Sequence, residues 1–167
     1  MSDREEIIGS IIDFLIYVGI EVEDATLREK TFLPGIYIEN GRMLIDRSRL
    51  LFPGDLLHEA GHLAVIPSDI RSTLTGEMTL SWTQMEPIEA QAMAWSYAAV
   101  LHLGIDPRVV FHPAGYKGRS AAILQGFELG LYIGLQGLED AELTFTPTTG
   151  LRNNCEPYPA MIKWIRD

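Results

Sequence analysis

The sequence predicts an α+β fold in which a small antiparallel β-hairpin or sheet packs against several helices. Three patterns indicate this class: apolar residues recur at helical spacing over residues 4–18, the pair Asn40-Gly41 separates two short apolar runs, and segments 86–104 and 120–138 have the length of helices. The chain has 167 residues, 47% of them apolar, enough for one self-sufficient core. We therefore expect a single domain over residues 1–167.

The N-terminal third predicts one helix and one hairpin. Residues 4–18 place isoleucine and leucine on one helical face, and this helix is expected to end near Gly19. Residues 35–39 and 42–46 flank Asn40-Gly41, a pair that tolerates the positive φ of a two-residue hairpin turn. We expect two antiparallel strands here.

A second helix is expected from Leu56 to Val65. Asp55 is placed to cap its N-terminus, and Pro67 stops it. Residues 67–85 are rich in Ser, Thr and Gly, which predicts a loop with room for one short strand.

Two longer helices are expected in the C-terminal half. The first covers residues 86–104, with Pro87 at its first helical position. The second covers residues 120–138, and its glycines at four-residue intervals would permit close packing against another helix: Gly126, Gly130 and Gly134. Residues 144–159 predict a loop, and residues 160–166 predict a last short turn of helix.

Composition excludes several kinds of partner. The chain has 13 basic and 23 acidic residues, a net charge of −10, whereas nucleic acids and anionic membranes bind clustered Lys and Arg. We expect no nucleic-acid and no membrane partner, which leaves metals, cationic groups and neutral peptides. Polar residues interrupt the apolar segment 121–138, so a buried helix is favoured over a membrane span. The N-terminus lacks a basic signal-peptide region and Cys155 is the one cysteine, which together predict a cytoplasmic protein.

The sequence His58-Glu59-Ala60-Gly61-His62 is an H-E-x-x-H motif within the predicted helix. Residues four apart share a helix face, about 5–6 Å between β-carbons, so both imidazoles can reach one cation. Glu59 is displaced by about 100° around the helix and falls beside that cation, where it can act on water. Zinc favours such nitrogen ligands, and a catalytic zinc site uses three protein ligands. The motif therefore predicts zinc and requires a third ligand.

Several residues are candidates for the third ligand: Glu77, Glu86, Glu89, Cys155, His102 and His112. Glu89 is favoured because it lies 27 residues after His62, early in a helix that can return against the first. Small residues beside it would let the two helices pack closely: Ala90, Ala92 and Ala94. Glu86 partly shares the same face and is the second choice, as a ligand or as a partner of a ligand. His102 lies about 220° around the helix from Glu89, so we expect it to face away.

Two motifs together carry a family resemblance. His58-Glu59-x-Gly61-His62 followed by Glu86-x-x-Glu89-Ala90-x-x-x-Ala94 resembles the ImmA/IrrE-type metallopeptidases and the minimal gluzincins, over about residues 35–100. The resemblance implies a zincin-like fold, with His58, His62 and Glu89 as zinc ligands and Glu59 as general base. It also implies a hairpin whose edge strand lays out a peptide. The chain departs from the family pattern at Ala60 and at 91–93.

The downstream loop 112–119 contains groups that could stabilise an oxyanion, His112 and Tyr116 among them, although a connecting loop is the favoured interpretation. Three aspartates could orient a zinc-binding imidazole through its second nitrogen: Asp46, Asp55 and Asp69. The sequence does not choose among them.

The expected function is a zinc-dependent metallopeptidase-like hydrolase acting on a peptide or protein. The alternative is a non-proteolytic zinc-binding regulatory or interaction module on the same scaffold, and the intact Glu59 favours the enzyme. A purely structural interpretation also stays open, in which His58 and His62 line a polar helix face and Glu89 is stabilised by the helix dipole.

Overall fold

The computed structural model describes residues 3–76 and 82–167, with only the backbone described for residues 82–86. The described part combines seven α-helices with one three-stranded sheet, which confirms the α+β class. In chain order the elements are α1 Asp3–Tyr17, β1 Val22–Asp24, β2 Ile36–Glu39, β3 Arg42–Ile45, α2 Gly54–Val65, α3 Ser68–Arg71, α4 Trp82–His102, α5 Ser120–Glu128, α6 Leu135–Asp140 and α7 Pro147–Asn153. No helix within these described ranges is both long and apolar enough to cross a bilayer.

The sheet has the strand order β1-β3-β2. Strands β2 and β3 form the predicted antiparallel hairpin, with Ile38 opposite Met43 and with Asn40 and Gly41 at φ values of 51° and 75°. Strand β1 pairs in parallel with β3, so the sheet is mixed and not purely antiparallel as predicted. The sequence did not indicate β1 because this strand has three residues, two of them exposed and acidic.

Helix α1 covers the core as its apolar spacing predicts. Ile8, Ile11 and Leu15 are fully buried, and the chain leaves the helix through Gly19 at a φ of 96°. The aromatic ring of Phe14, on the same helix, packs against Trp95 of α4 and against Trp164 near the C-terminus.

Helices α2 and α4 form the largest helix–helix contact in the described part of the chain. A β-carbon added to Gly61 would lie 2.8 Å from the carbonyl oxygen of Ala92, so the backbones approach closely. The hydroxyl of Ser96 donates to the carbonyl oxygens of Leu57 and Ala92, at 3.2 and 2.6 Å. The two helices that carry the motif residues are therefore held directly against each other.

The start of α4 differs from the prediction. The helix begins at Trp82 and not at Glu86, so Pro87 lies inside it instead of at its first position. The predicted loop 67–85 contains the short helix α3 and the first four residues of α4, while residues 77–81 fall outside the description. Asp55 does not cap α2, because Pro53 occupies the cap position and the Asp55 carboxylate faces His112.

The helix predicted over residues 120–138 is two shorter helices, α5 and α6. Gly130 and Gly134 have φ values of 79° and 81°, in the left-handed region, which ends a right-handed helix. The three glycines therefore do not form one helix face. Gly134 nevertheless permits close approach to α4, because an added β-carbon would meet the carbonyl oxygen of Ala90 at 2.1 Å.

The C-terminal segment also differs from the prediction. Helix α7 lies within the predicted loop 144–159, and the Thr146 hydroxyl caps it by accepting from the amide of Thr149. Residues 160–166 form no helical turn and instead run along the body of the protein.

This tail closes the C-terminal end of α2. The Arg166 amide donates to the carbonyl oxygen of Ala64 at 2.8 Å, and the guanidinium of Arg71 donates to the carbonyl oxygens of Leu63, Ile66 and Arg166. The indole nitrogen of Trp95 donates to the carbonyl oxygen of Trp164 at 2.8 Å. Carbonyl groups that a helix leaves unpaired at its end are thus satisfied by cationic side chains and by the tail.

Candidate metal centre

Three predicted ligands meet at the contact between α2 and α4. The Nε2 atoms of His58 and His62 are 3.1 Å apart, and they lie 3.4 and 3.1 Å from the two carboxylate oxygens of Glu89. One donor atom from each residue lies within 4.8 Å of the others. Ligands bound to zinc at about 2.0–2.2 Å in a tetrahedron are about 3.3–3.6 Å apart. The donor atoms of the three residues are therefore close enough together to share one cation.

The helices explain why these side chains converge. His58 and His62 lie one turn apart on the same face of α2, and their rings pack edge to face with centroids 4.7 Å apart. Gly61 lets α4 approach, which brings Glu89 against both rings. The side chains of His58 and His62 are 15% and 7% exposed, and that of Glu89 is 36% exposed. Solvent therefore reaches the centre from the Glu89 side.

The pKa values of the two histidines shift in opposite directions. Burial, supported by the charge of His62, lowers the pKa of His58 to about 3. Burial also opposes protonation of His62, but its hydrogen bond to Glu89 and the charges of Glu59 and Glu89 outweigh burial and raise its pKa. The pKa of Glu89 is lowered, since its hydrogen bond from His62 and the nearby positive charge overcome burial. His58 is thus favoured in its neutral form, whereas Glu89 favours the protonated form of His62.

Glu59 occupies the position next to the donors without being one of them. Its half-buried carboxyl group lies close enough to His62, Glu89 and Asp55 for their charges to act on its pKa, which burial raises. Among the residues that the structure describes, its side chain makes no hydrogen bond. This arrangement suits a group that exchanges protons with a bound molecule.

The second nitrogen of His58 has a partner, Tyr116, that the sequence suggested only as a group able to stabilise an oxyanion. The Tyr116 hydroxyl lies 3.1 Å from His58 Nδ1, and the two rings pack edge to face with centroids 5.3 Å apart. No local pattern indicates this contact, because the two residues are 58 positions apart and the loop that carries Tyr116 has no regular periodicity.

None of the three aspartates considered for this role contacts a metal-site imidazole in the described structure. The Asp55 carboxylate lies 2.9 Å from His112 Nε2, and the His112 ring stacks on Phe52 with centroids 3.8 Å apart. Asp46 accepts hydrogen bonds from the Leu27 amide and from Ser48, and Asp69 accepts one from the Ile70 amide. The Nδ1 atoms of His62 and His112 are buried without a hydrogen-bond partner among the described residues.

The other candidate ligands lie elsewhere. His102 faces away as predicted and packs against Phe14 and Trp164, while Cys155 is exposed. His112 is held by Asp55, so the structure does not direct it towards the metal centre. Glu77 and the side chain of Glu86 lie outside the described residues.

The outer edge of β2 is partly occupied. The Gly76 amide donates to the Ile38 carbonyl oxygen at 2.8 Å, and the Asn40 amide donates to the Thr75 hydroxyl at 2.9 Å. The Ile38 carbonyl oxygen, on the outer edge of the hairpin, is therefore already hydrogen-bonded within the chain. The expectation that this edge strand binds an extended peptide stays a prediction. The Ile38 carbonyl oxygen is not free to pair with such a peptide while it accepts the hydrogen bond from Gly76.

Comparisons with known proteins return no match: no family model, no curated protein and no solved structure is significantly similar to the chain. The resemblance in the motif residues therefore stays a prediction. Any function assigned to the chain depends on the chemistry of its own residues, above all on His58, Glu59, His62 and Glu89.

Proposed function

We propose that the protein is a zinc-dependent metallopeptidase-like hydrolase. The observation that carries this proposal is the convergence of His58, His62 and Glu89 on a space that fits one cation, with the Glu59 carboxyl group beside it. Two imidazoles and one carboxylate are a ligand set found in catalytic zinc sites, where a fourth position is kept for water or substrate.

The donor chemistry favours zinc over harder cations. Calcium and magnesium prefer oxygen ligands in larger number, whereas this centre offers two nitrogen atoms and one carboxylate. A zinc ion held here would supply a Lewis acid that acidifies water and polarises a carbonyl oxygen. Zinc binding requires an unprotonated Nε2 on His62, so protons and zinc would compete for this nitrogen.

Glu59 is the proposed general base. Its carboxylate would take a proton from the attacking water and then pass it to the amine nitrogen that leaves when the carbon–nitrogen bond breaks. Burial raises the pKa of Glu59 above its ordinary value, which makes its carboxylate a better base near neutral pH. The proposed substrate is a peptide or an unfolded protein segment, which reaches the centre from its exposed Glu89 side.

The test compares wild type with Glu59→Gln. Metal analysis of both should show about one zinc per chain, because residue 59 is not a ligand. Cleavage of a denatured protein mixture, followed by mass spectrometry of the products, should fall by about 10²- to 10⁴-fold in the variant. Glu156→Gln, at an exposed glutamate distant in sequence from the motifs, is the matched control and should cleave like wild type.

Three results would oppose the proposal. A wild-type protein that takes up no zinc at neutral pH would exclude the metal centre. Equal cleavage by wild type and Glu59→Gln would remove Glu59 from the reaction. Zinc binding without cleavage of any substrate would favour the alternative, a zinc-binding interaction module.

A further inference from the structure

We propose that Tyr116 is a positioning residue that fixes the ring and the tautomer of His58, so that Nε2 faces the metal. This inference depends on the proposed metal centre and assigns Tyr116 a role in it. The Tyr116 hydroxyl lies 3.1 Å from His58 Nδ1, while His58 Nε2 faces Glu89 at 3.4 Å and His62 at 3.1 Å. When Nε2 offers its lone pair to a cation, Nδ1 carries the hydrogen and donates it to the tyrosine oxygen.

The two histidines differ in what holds their rings. His62 is the more buried, and its Nδ1 has no hydrogen-bond partner among the described residues, so only packing holds that outer side of its ring. His58 is twice as exposed in its side chain and has Tyr116 on its outer nitrogen. The less enclosed ring is therefore the one with a hydrogen-bonding partner on its Nδ1.

The backbone that presents Tyr116 is strained. Tyr116 and Lys117 have φ values of 52° and 54°, so two consecutive residues with side chains lie in the left-handed region. Such conformations persist where surrounding contacts impose them, and they cluster at functional sites. The strained pair occurs at the residue whose hydroxyl meets His58.

Contacts on both sides of Tyr116 impose this conformation. The His112 ring is held between the Asp55 carboxylate and the stacked ring of Phe52, which ties the start of the loop to the first turn of α2. The Ser120 hydroxyl donates to the carbonyl oxygens of His112 and Gly115, which closes the loop on itself. The Tyr116 ring also stacks on Phe111, with centroids 5.3 Å apart.

The position of the hydroxyl argues for positioning and against direct contact with the reacting atoms. The two nitrogen atoms of an imidazole point in divergent directions, and the Tyr116 oxygen lies on the Nδ1 side of His58, away from Glu89 and His62. The oxygen of a tyrosine hydroxyl can accept a hydrogen bond, so at 3.1 Å it can receive the hydrogen from Nδ1. Tyr116 acts through His58 in this arrangement.

The test is Tyr116→Phe, which removes the hydroxyl and keeps the ring on Phe111. Zinc affinity, measured by competition with a chromophoric chelator, should fall by about 10- to 100-fold, as is typical for partners of metal ligands. Tyr158→Phe is the matched control. It removes the hydrogen bond that the Tyr158 hydroxyl donates to the Ala94 carbonyl oxygen, at 2.9 Å and outside the centre, so its zinc affinity should equal that of wild type.

A second measurement uses metal-free protein. Nitrogen-15 NMR of labelled histidine distinguishes protonated from unprotonated ring nitrogens, and the His58 signals are assigned with His58→Gln. Wild type should show His58 with hydrogen on Nδ1, and Tyr116→Phe should show a mixture of tautomers, a change that a merely structural role would not produce.

The outcomes separate this inference from the proposed function. Unchanged zinc affinity in Tyr116→Phe, or an equal loss in Tyr158→Phe, would overturn the positioning role while leaving the zinc centre in place. If wild type takes up no zinc, the proposed function fails, and the NMR comparison decides alone. The same His58 tautomer in both proteins would then overturn the role of Tyr116, and a shifted population would support it.

Discussion

Gly61 and Ala92 stand so close across the contact between α2 and α4 that a single added β-carbon would come within 2.8 Å of the Ala92 carbonyl oxygen. The obstacle is backbone, which cannot rotate aside as a side chain can. Gly61 therefore determines how near Glu89 comes to the two histidines.

Gly61→Ala should consequently separate the two helices. We expect a loss of about 1–3 kcal/mol in the free energy of unfolding from overpacking, together with weaker zinc binding. Gly9→Ala is the matched control, because Gly9 also lies within a helix but has nothing within 4 Å of an added β-carbon. That change should stabilise the protein by about 0.5–1 kcal/mol. Urea denaturation and zinc titration of both variants measure these effects, and a Gly61→Ala protein that behaves like Gly9→Ala would contradict the account.

The choice of Glu89 as third ligand predicts which glutamate controls metal content. Glu89→Ala should reduce bound zinc from about one per chain to a small fraction, because two imidazoles alone make an incomplete site. Glu86→Ala, one turn earlier on the same helix, should retain zinc. Elemental analysis after dialysis measures both. Retained zinc in Glu89→Ala together with lost zinc in Glu86→Ala would reverse the assignment.

The buried pair of Asp55 and His112 should contribute to stability. Asp55→Ala leaves the His112 imidazole buried without its partner, and we expect a loss of about 1–3 kcal/mol in the free energy of unfolding. Asp69→Ala, at an exposed carboxylate that accepts a hydrogen bond from the adjacent Ile70 amide, should change this free energy by less than about 0.5 kcal/mol. Thermal unfolding of the two variants checks the prediction, which fails if both shift the midpoint equally.

The lowered pKa of Asp46 predicts that the free energy of unfolding depends on pH. The hydroxyl of Ser48 and the amide of Leu27 donate to its carboxylate and lower the pKa of Asp46 below its ordinary value of 3.8. Because the folded pKa is the lower one, the carboxylate stabilises the folded state above the unfolded pKa, and this contribution is lost as pH falls through the folded pKa. We expect Asp46→Asn to be less stable than wild type at neutral pH and the gap to close below about pH 4.

Urea denaturation at about pH 7 and about pH 3 measures this gap. Asp13→Asn, at an exposed position on α1, controls for the general effect of removing one negative charge. A gap between Asp46→Asn and wild type that stays constant or widens at acid pH would show that the hydrogen bonds to Asp46 do not depend on its charge.

Features with short-range causes could be predicted from the sequence. The spacing of His58 and His62 places both rings on one helix face, and Asn40-Gly41 supplies the φ values that a tight hairpin needs. Glu89 could be chosen because small residues allow the helix that carries it to pack closely against α2.

Features that depend on distant contacts could not be predicted. Tyr116 meets His58 through a strained loop that no periodicity indicates, and Asp55 pairs with His112 instead of capping its own helix. The apolar residues between α5 and α6 suggested one continuous helix, but the chain turns at Gly130 and Gly134 so that α6 can pack on α4. Tertiary packing there overrides local preference.

The tail that closes the end of α2 has a consequence for synthesis on the ribosome. The Ala64 carbonyl oxygen accepts a hydrogen bond from the Arg166 amide, and the Trp95 indole donates one to the Trp164 carbonyl oxygen, across 102 and 69 positions of the chain. When both histidines and Glu89 have been synthesised, the nascent chain still lacks Trp164 and Arg166, which bind to the helices that carry them. The half of the chain that carries the proposed zinc site should therefore remain loosely closed during translation, and metal capture should become firm only once residues 164–166 have left the exit tunnel.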